Sequence, residues 1–221
     1  MKIHLPDPDY VTSEGAKKSF ALALKVAGGF VLLLWGVFLL DWLLGLELTR
    51  FGVRPGRPEG IIGVFAAPLL HGGFSHLGSN SVPLFVLLAG ALFVYPSAAV
   101  RALPVLYVVS GLLVWVFARP SNHIGASGLL YGLLLFVFVS GVLRRDARSI
   151  ALSMLVYFLY GSMVWGVLPI KEGVSWEYHL AGAVVGIVCA LVWRRFDIPP
   201  RKRYEWEDEE DEDQEEDVRL H

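Results

Sequence analysis

The sequence predicts an all-α, polytopic membrane protein. Of its 221 residues, 55% are hydrophobic, and the mean hydropathy of +0.54 is higher than soluble domains normally show. Six apolar runs are also long enough to cross a hydrocarbon core of about 30 Å, which takes roughly 20 helical residues. We therefore expect a bundle of six transmembrane helices.

The predicted spans are joined by short connections, with one exception. They cover about residues 26–46, 78–96, 102–118, 124–143, 149–169 and 177–193. The connection at roughly 47–75 is long and contains Pro55, Pro58 and Pro68 among apolar residues. A plain linker does not need such an apolar surface, so we expect a structured external or interfacial element there. The chain thus divides into an N-terminal segment 1–25, a membrane domain 26–195 and a C-terminal tail 196–221.

The positive charges predict how the bundle is oriented. If both termini and the second-to-third and fourth-to-fifth connections share one side, that side holds thirteen Lys and Arg residues and the opposite side holds five. Cytoplasmic loops are enriched in Lys and Arg. We therefore expect both termini in the cytoplasm, and we expect the membrane to be the plasma membrane. The second, fourth and sixth helices then enter the bilayer from outside.

The formal net charge of −2 conceals a strongly acidic tail. Segment 205–217 contains eleven Asp and Glu residues and no basic residue, so the rest of the chain carries −2 + 11 = +9. Such a block of like charge predicts a solvated, disordered cytoplasmic segment. The single cysteine, Cys189, lies in an apolar run. We expect it to be a core residue, because it has no partner for a disulfide bond.

Polar residues recur at the outer beginning of the three even-numbered spans. His76 and Asn80 lie there on the second span, Ser127 on the fourth and His179 on the sixth. Polar groups inside a membrane are costly and tend to mark function. All three spans therefore place polar side chains at the same depth in the membrane.

Small residues predict that the fourth and sixth helices pack closely. Gly182 and Gly186 on the sixth helix have the four-residue spacing that allows two backbones to approach each other. The fourth helix contributes Gly125, Gly128 and Gly132. Close packing of these helices would bring Ser127 and His179 within hydrogen-bond reach.

The chemistry that fits these residues is nucleophilic acyl transfer. His179 would act as general base toward Ser127 and then as acid toward the leaving amine. Tyr131 follows Ser127 by four residues and would share its helical face, where its ring could orient the imidazole in place of a carboxylate. His76 and Asn80, with the backbone N–H of Ser127, would stabilise the oxyanion.

Several of these residues also have a purely structural interpretation. A serine among glycines commonly serves helix packing, and Tyr131 could be an aromatic filler. We interpret His71 as a brace for the external connection, and His123 and His4 as interfacial polar groups.

Other functional classes fit the sequence less well. A transporter would need intramembrane ionisable groups or an internal repeat, but the sequence shows no repeat, and the acidic residue Asp41 lies near the outer end of its span. A zinc protease would need a His-Glu-x-x-His helix, and an aspartyl protease would need two carboxylates. We therefore expect no metal, no cofactor and no nucleic-acid partner, and the oligomeric state has no signature in the sequence.

Taken together, these motifs resemble the rhomboid family. They are Gly125-Ala126-Ser127-Gly128 with Tyr131, His179 followed by Gly182 and Gly186, and the earlier His71, His76 and Asn80. The chain is similar to the minimal six-helix rhomboid proteases over nearly all of residues 20–195. It departs from many of them in lacking a Trp-Arg pair in the first external loop, although Arg50, Arg54 and Arg57 are present there.

The resemblance implies a serine intramembrane protease that cleaves single-span membrane proteins near the outer face of the membrane. It implies that Ser127 is the nucleophile, His179 the base, and His76 with Asn80 the oxyanion donors. The alternative is a catalytically inactive relative that binds membrane proteins or serves in their quality control. The presence of both Ser127 and His179 argues against that alternative, because a binding protein does not need the pair.

Overall fold

The protein folds as a bundle of helices. A computed structural model describes residues 12–170, 173–200 and 202. His4 and the acidic segment 205–217 lie outside these residues, so their interpretations stay predictions.

Six long helices in the described part of the chain follow the six predicted spans. They are α1 (Glu14–Leu44), α2 (Phe74–Val94), α3 (Pro96–Phe117), α4 (Ser127–Arg144), α5 (Ala147–Tyr160) and α6 (Trp176–Val192). Helices α1 to α4, and α5 together with the 3₁₀ helix that continues it to Val167, are long and apolar enough to span a membrane. Helix α6 is apolar and has 17 residues, the lower end of the spanning range. The prediction of an all-α, polytopic membrane protein is confirmed.

Helix α1 begins well before the predicted start at residue 26. The hydroxyl of Ser13 accepts a hydrogen bond from the backbone N–H of Ala16 at 3.1 Å, which caps the helix one turn ahead of its basic residues. Residues 14–25 of the predicted N-terminal segment therefore continue the first span. At the other end, the Asp41 carboxylate accepts the backbone N–H of Leu48 at 3.0 Å. Asp41 thus caps the turn that leaves α1.

The long connection after α1 is structured, as its apolar residues predict. It consists of the 3₁₀ helix Leu48–Phe51, the 3₁₀ helix Pro58–Ile62, the α-helical turn Gly63–Ala66 and the 3₁₀ helix Ala67–Leu69. Two side chains of α3 hold it. The hydroxyl of Tyr107 donates to the carbonyl of Phe65 at 2.6 Å, and the indole of Trp115 donates to the carbonyl of Arg57 at 2.9 Å. The connection therefore lies against α3.

Helix α4 is the central helix of the bundle. In the apolar stretch of α4, 72% of the residues are buried, whereas the corresponding share in the other four spans is 11% to 44%. Its most extensive contact is with α6. The two helices that carry the predicted serine and histidine are therefore direct neighbours.

The contact between α4 and α6 is built on glycines. A Cβ atom at Gly182 would overlap the carbonyl of Gly128, and a Cβ atom at Gly186 would overlap the carbonyl of Gly132. One side of α6 thus lies on the bare backbone of α4. This is the arrangement that the four-residue glycine spacing predicts.

Alanine at Gly186 should destabilise the protein. An alanine in a helix is ordinarily favoured over glycine by about 1 kcal/mol, but here its methyl group would meet the α4 backbone, and overpacking costs about 1–3 kcal/mol. We expect Gly186→Ala to lower the Tm in detergent by several degrees. The matched control is Gly36→Ala on α1, where a Cβ atom would meet nothing within 4 Å. Equal Tm values for the two variants would contradict the proposed contact.

Candidate active site

The beginnings of α2, α4 and α6 meet around an open cavity at one end of the bundle. Its volume is about 830 Å³. Ser127, His179, His76, Asn80 and Tyr131 all line it. The structure thus brings together the five side chains that the sequence singles out on three separate helices.

Ser127 is the first residue of α4 and is 6% exposed. The leading N–H groups of a helix have no partner within the helix, so Ser127 places its hydroxyl beside such donors. Two residues earlier, Gly125 has a φ of +109°, in the region that favours glycine. A Cβ atom there would also overlap the His76 ring. Gly125 therefore allows both the turn into α4 and the close approach of His76.

The long connection after α1 holds the loop that precedes Ser127. The backbone N–H of Gly125 donates to the carbonyl of Ala67 at 2.9 Å. The next backbone N–H, of Ala126, donates to Nε2 of His71 at 3.4 Å. His71 is 3% exposed, and it braces the serine loop against this connection.

His71 accepts this hydrogen bond because its ring is neutral. Burial, and next the neighbouring His76, lower the pKa of His71 from 6.5 to about 4. The two rings meet edge to face with 5.0 Å between their centroids. A neutral imidazole keeps a lone pair on one nitrogen, and the Ala126 N–H uses it.

The His179 ring is held in one orientation. It stacks on Tyr131, with ring centroids 4.1 Å apart and planes 7° from parallel. Its Nδ1 lies 2.8 Å from the carbonyl oxygen of Gly166. Since a carbonyl can only accept, Nδ1 carries the proton and Nε2 keeps its lone pair. The ring thus offers a basic nitrogen.

A 3₁₀ helix after α5 supplies the carbonyls that hold both rings. The hydroxyl of Tyr131 donates to the carbonyl of Met163 at 2.8 Å, and both Met163 and Gly166 belong to the 3₁₀ helix Gly161–Val167. These partners lie within 149–169, which the apolar pattern predicts as one continuous span. The clue in the sequence was the glycine at position 166. The structure explains it, because a Cβ atom there would overlap the Tyr131 hydroxyl.

His76 and Asn80 lie on the α2 wall of the cavity. The Asn80 amide donates to the carbonyl of His76 at 3.1 Å. An amide nitrogen carries two N–H groups, so one remains to act as a donor. The His76 ring stands beside Gly125, as described above. Both side chains therefore reach the loop that leads into Ser127.

Tyr178 is a further neighbour of the site that the sequence motifs do not predict. It is 1% exposed, and a Cβ atom at Gly128 would overlap its ring. Gly128 therefore makes room for the Tyr178 ring, while Gly182 makes room for the α4 backbone. The clue in the sequence was an aromatic residue directly before His179. On α6 the ring of this residue lies against α4.

The interpretation of His123 as an interfacial polar group is wrong. His123 is 1% exposed, because its backbone pairs with Val53 of the long connection after α1 and its ring contacts Ser175 at the start of α6. Its Nε2–H donates to the carbonyl of Arg119 at 3.1 Å, and its Nδ1 accepts from the hydroxyl of Ser175. Cys189, by contrast, is buried as predicted.

Comparison with known proteins identifies the family of the chain. The model of the rhomboid domain family matches residues 58–196. The chain belongs to the rhomboid family. This family of intramembrane proteases also includes inactive members.

The relatives that the chain resembles are mycobacterial. Uncharacterized proteins of Mycobacterium bovis and Mycobacterium tuberculosis are 39% identical to it over 187 residues, which cover 78% of this chain and 75% of theirs. An uncharacterized protein of Mycobacterium leprae is 35% identical over 188 residues, which cover 78% of this chain and 71% of the relative.

The low pKa of His71 predicts a specific pH dependence of stability. The unfolded chain takes up a proton near pH 6.5, whereas the folded ring stays neutral to about pH 4. The free energy of unfolding therefore decreases as the pH falls from 6.5 toward 4. This group alone lowers it by on the order of 3 kcal/mol.

The variant His71→Gln should lose this contribution, because glutamine does not titrate. Unfolding of both proteins in detergent is measured between pH 7 and pH 4, and the difference between their pH slopes is the readout. Parallel slopes would show that His71 is not held neutral by the fold.

Proposed function

We propose that this rhomboid protein is a serine intramembrane protease, with Ser127 as nucleophile and His179 as general base. Family membership and the shared cavity wall support the assignment. The observation that carries it is the hydrogen bond from His179 Nδ1 to the carbonyl of Gly166, since it leaves Nε2 as the basic nitrogen of a ring that lines the same cavity as Ser127.

The reaction proceeds by acyl transfer. Nε2 of His179 takes the proton of the Ser127 hydroxyl as the oxygen attacks the peptide carbonyl. The resulting imidazolium gives this proton to the leaving amine, and the carbonyl carbon stays bound to Ser127 as an ester. Water, activated by the same nitrogen, then hydrolyses the ester and restores both residues.

Three donors would meet the oxyanion of the tetrahedral intermediate. They are the backbone N–H of Ser127, the side chain of His76 and the second N–H of the Asn80 amide. Donors fixed in advance are effective because they do not have to reorganise as charge develops. The brace from His71 and the turn at Gly125 keep the Ser127 loop in place for this purpose.

Substrates would be single-span membrane proteins, and cleavage would occur near the outer face. A peptide bond inside a helix is shielded by its own turn, so the substrate helix must unwind before Ser127 can attack. We place both termini in the cytoplasm and the cavity at the outer face, because Lys and Arg are concentrated on the other side. We place the protein in the plasma membrane.

A fluorophosphonate probe tests the assignment, because it reacts with an activated serine and leaves an ordinary one unmodified. We expect labelling of the wild type at Ser127, none in Ser127→Ala, and a sharp decrease in His179→Ala. Acidification should also weaken labelling, because an imidazolium cannot accept a proton. The matched control is Ser75→Ala, which removes another serine hydroxyl from the wall of the cavity.

The same proteins are then reconstituted in liposomes with a single-span substrate, and cleavage should follow the labelling pattern. A folded wild type that neither labels nor cleaves, tested with several probes and substrates, would favour an inactive member of the family.

The proposed oxyanion donors predict how substitutions in the cavity wall change kcat. Asn80→Ala should lower kcat by about 10- to 1000-fold with little effect on the fold, because it removes one donor. The control is Asn122→Ala, which also alters the cavity wall and removes a hydrogen bond to the carbonyl of Thr49 at 2.8 Å. We expect it to change kcat less than about threefold. Equal effects of the two substitutions would remove Asn80 from the oxyanion site.

A further inference from the structure

One hydrogen bond joins the approaches to the two helices that carry Ser127 and His179. His123 precedes Ser127 by four residues, and Ser175 precedes His179 by four. The hydroxyl of Ser175 donates to Nδ1 of His123. This contact lies just outside the proposed catalytic dyad, Ser127 and His179, at the same end of the bundle.

Ser175 links this hydrogen bond directly to α6. It is the N-cap residue of that helix. Its carbonyl accepts the backbone N–H groups of Tyr178 at 3.0 Å and His179 at 3.3 Å. The same residue therefore holds His123 through its hydroxyl and the His179 backbone through its carbonyl.

His123 is equally fixed on the α4 side. Its backbone N–H and carbonyl both pair with Val53, each at 2.9 Å. Its ring is buried, and Nε2–H donates to the Arg119 carbonyl at 3.1 Å. Because Nε2 carries the ring proton, Nδ1 is an acceptor for a hydroxyl.

Arg119 adds a second connection around Ser175. Its Nη2 donates to the carbonyl of Val174 at 2.7 Å, and its Nε lies 3.3 Å from the carboxylate of Glu177. One guanidinium therefore holds the residues on either side of the α6 N-cap. Its own carbonyl holds the ring of His123.

We infer that the His123–Ser175 hydrogen bond, reinforced by Arg119, sets the depth of His179 relative to Ser127. The inference rests on the proposed function. The glycine contacts bring α4 and α6 close together and favour one register of the two helices, whereas the hydrogen bond fixes the two helix ends that carry Ser127 and His179. A slip by one residue moves a helix by about 1.5 Å. Reacting groups must be held near 3–3.5 Å, and a misplacement of about 1 Å can cost 10²-fold in rate.

His123, Ser175 and Arg119 are thus positioning residues. They act through the backbone of α6 and the loop before α4, and they do not touch the reacting atoms. Their loss should therefore reduce the rate of the chemical step more than the affinity for substrate.

The decisive comparison is Ser175→Ala with Ser175→Thr. The alanine variant loses the hydroxyl, and we expect kcat to fall by about 10- to 100-fold with KM changed less than about threefold. The rate of fluorophosphonate labelling at Ser127 should fall by a similar factor. Threonine keeps the hydroxyl and should restore most of both rates. Wild-type kcat in Ser175→Ala would overturn the inference.

The matched control is Ser153→Ala. The hydroxyl of Ser153 is buried and donates to the carbonyl of Phe138 at 2.7 Å, so it also joins a neighbouring helix to α4, but at a distance from the dyad along the chain. This variant should lose stability as Ser175→Ala does and keep kcat within about twofold of the wild type. An equal loss of kcat in the control would make the effect of Ser175→Ala one of general destabilisation, which would overturn the inference.

A double-mutant cycle tests whether the two residues act as a unit. If they do, His123→Ala combined with Ser175→Ala should be no slower than the slower single variant. Multiplied effects on kcat would mean that they act independently, and the positioning role of the hydrogen bond would fail.

The outcomes separate this inference from the proposed function. A wild type that does not label at Ser127 refutes the proposed function, and the positioning role fails with it. A wild type that labels, together with a Ser175→Ala variant of full rate, refutes only the positioning role.

Discussion

The close backbone contact between α4 and α6 is the constraint on which the candidate site depends. Ser127 and His179 lie near the ends of different helices, so neither can act on the other unless the helix axes come close. Ordinary side chains keep packed helices about 8–10 Å apart. Gly128 and Gly182 remove the side chains at the crossing, where the carbonyl of Gly128 fills the place of a Cβ atom. In lipid no hydrophobic force drives helices together, so this packing has to supply the contact.

The elements outside the bundle convert that proximity into a defined geometry. The long connection after α1 holds the backbone of the serine loop through Ala67 and His71. Across the cavity, the loop before α6 is held by His123 and Arg119. The helices therefore determine which residues become neighbours, while the connections determine how these residues are directed. This division explains why the long first connection is folded against α3.

The orientation of His179 fits a candidate catalytic group in a membrane environment. In a water-soluble protease a carboxylate commonly orients the histidine, but an ionised carboxylate at membrane depth is costly. Here a backbone carbonyl of the 3₁₀ helix and the stacked ring of Tyr131 perform this task without a formal charge. Gly166 is the next-to-last residue of this 3₁₀ helix, and its carbonyl is available to His179 because the last carbonyls of a helix have no partner within the helix.

The sequence by itself determined the all-α membrane fold, the approximate spans and the candidate residues Ser127, His179, His76 and Asn80. These follow from local properties: the length of an apolar run, the position of a polar group within it and the spacing of glycines. It could not identify the carbonyl of Gly166 as the partner of His179, because every residue has a carbonyl and none carries a sequence signature. It also misjudged His123, since that ring is buried by contacts with segments that are distant in the sequence, at Val53 and Ser175. Which atoms meet was decided by the tertiary structure, because contacts between distant segments depend on how the helices and their connections pack.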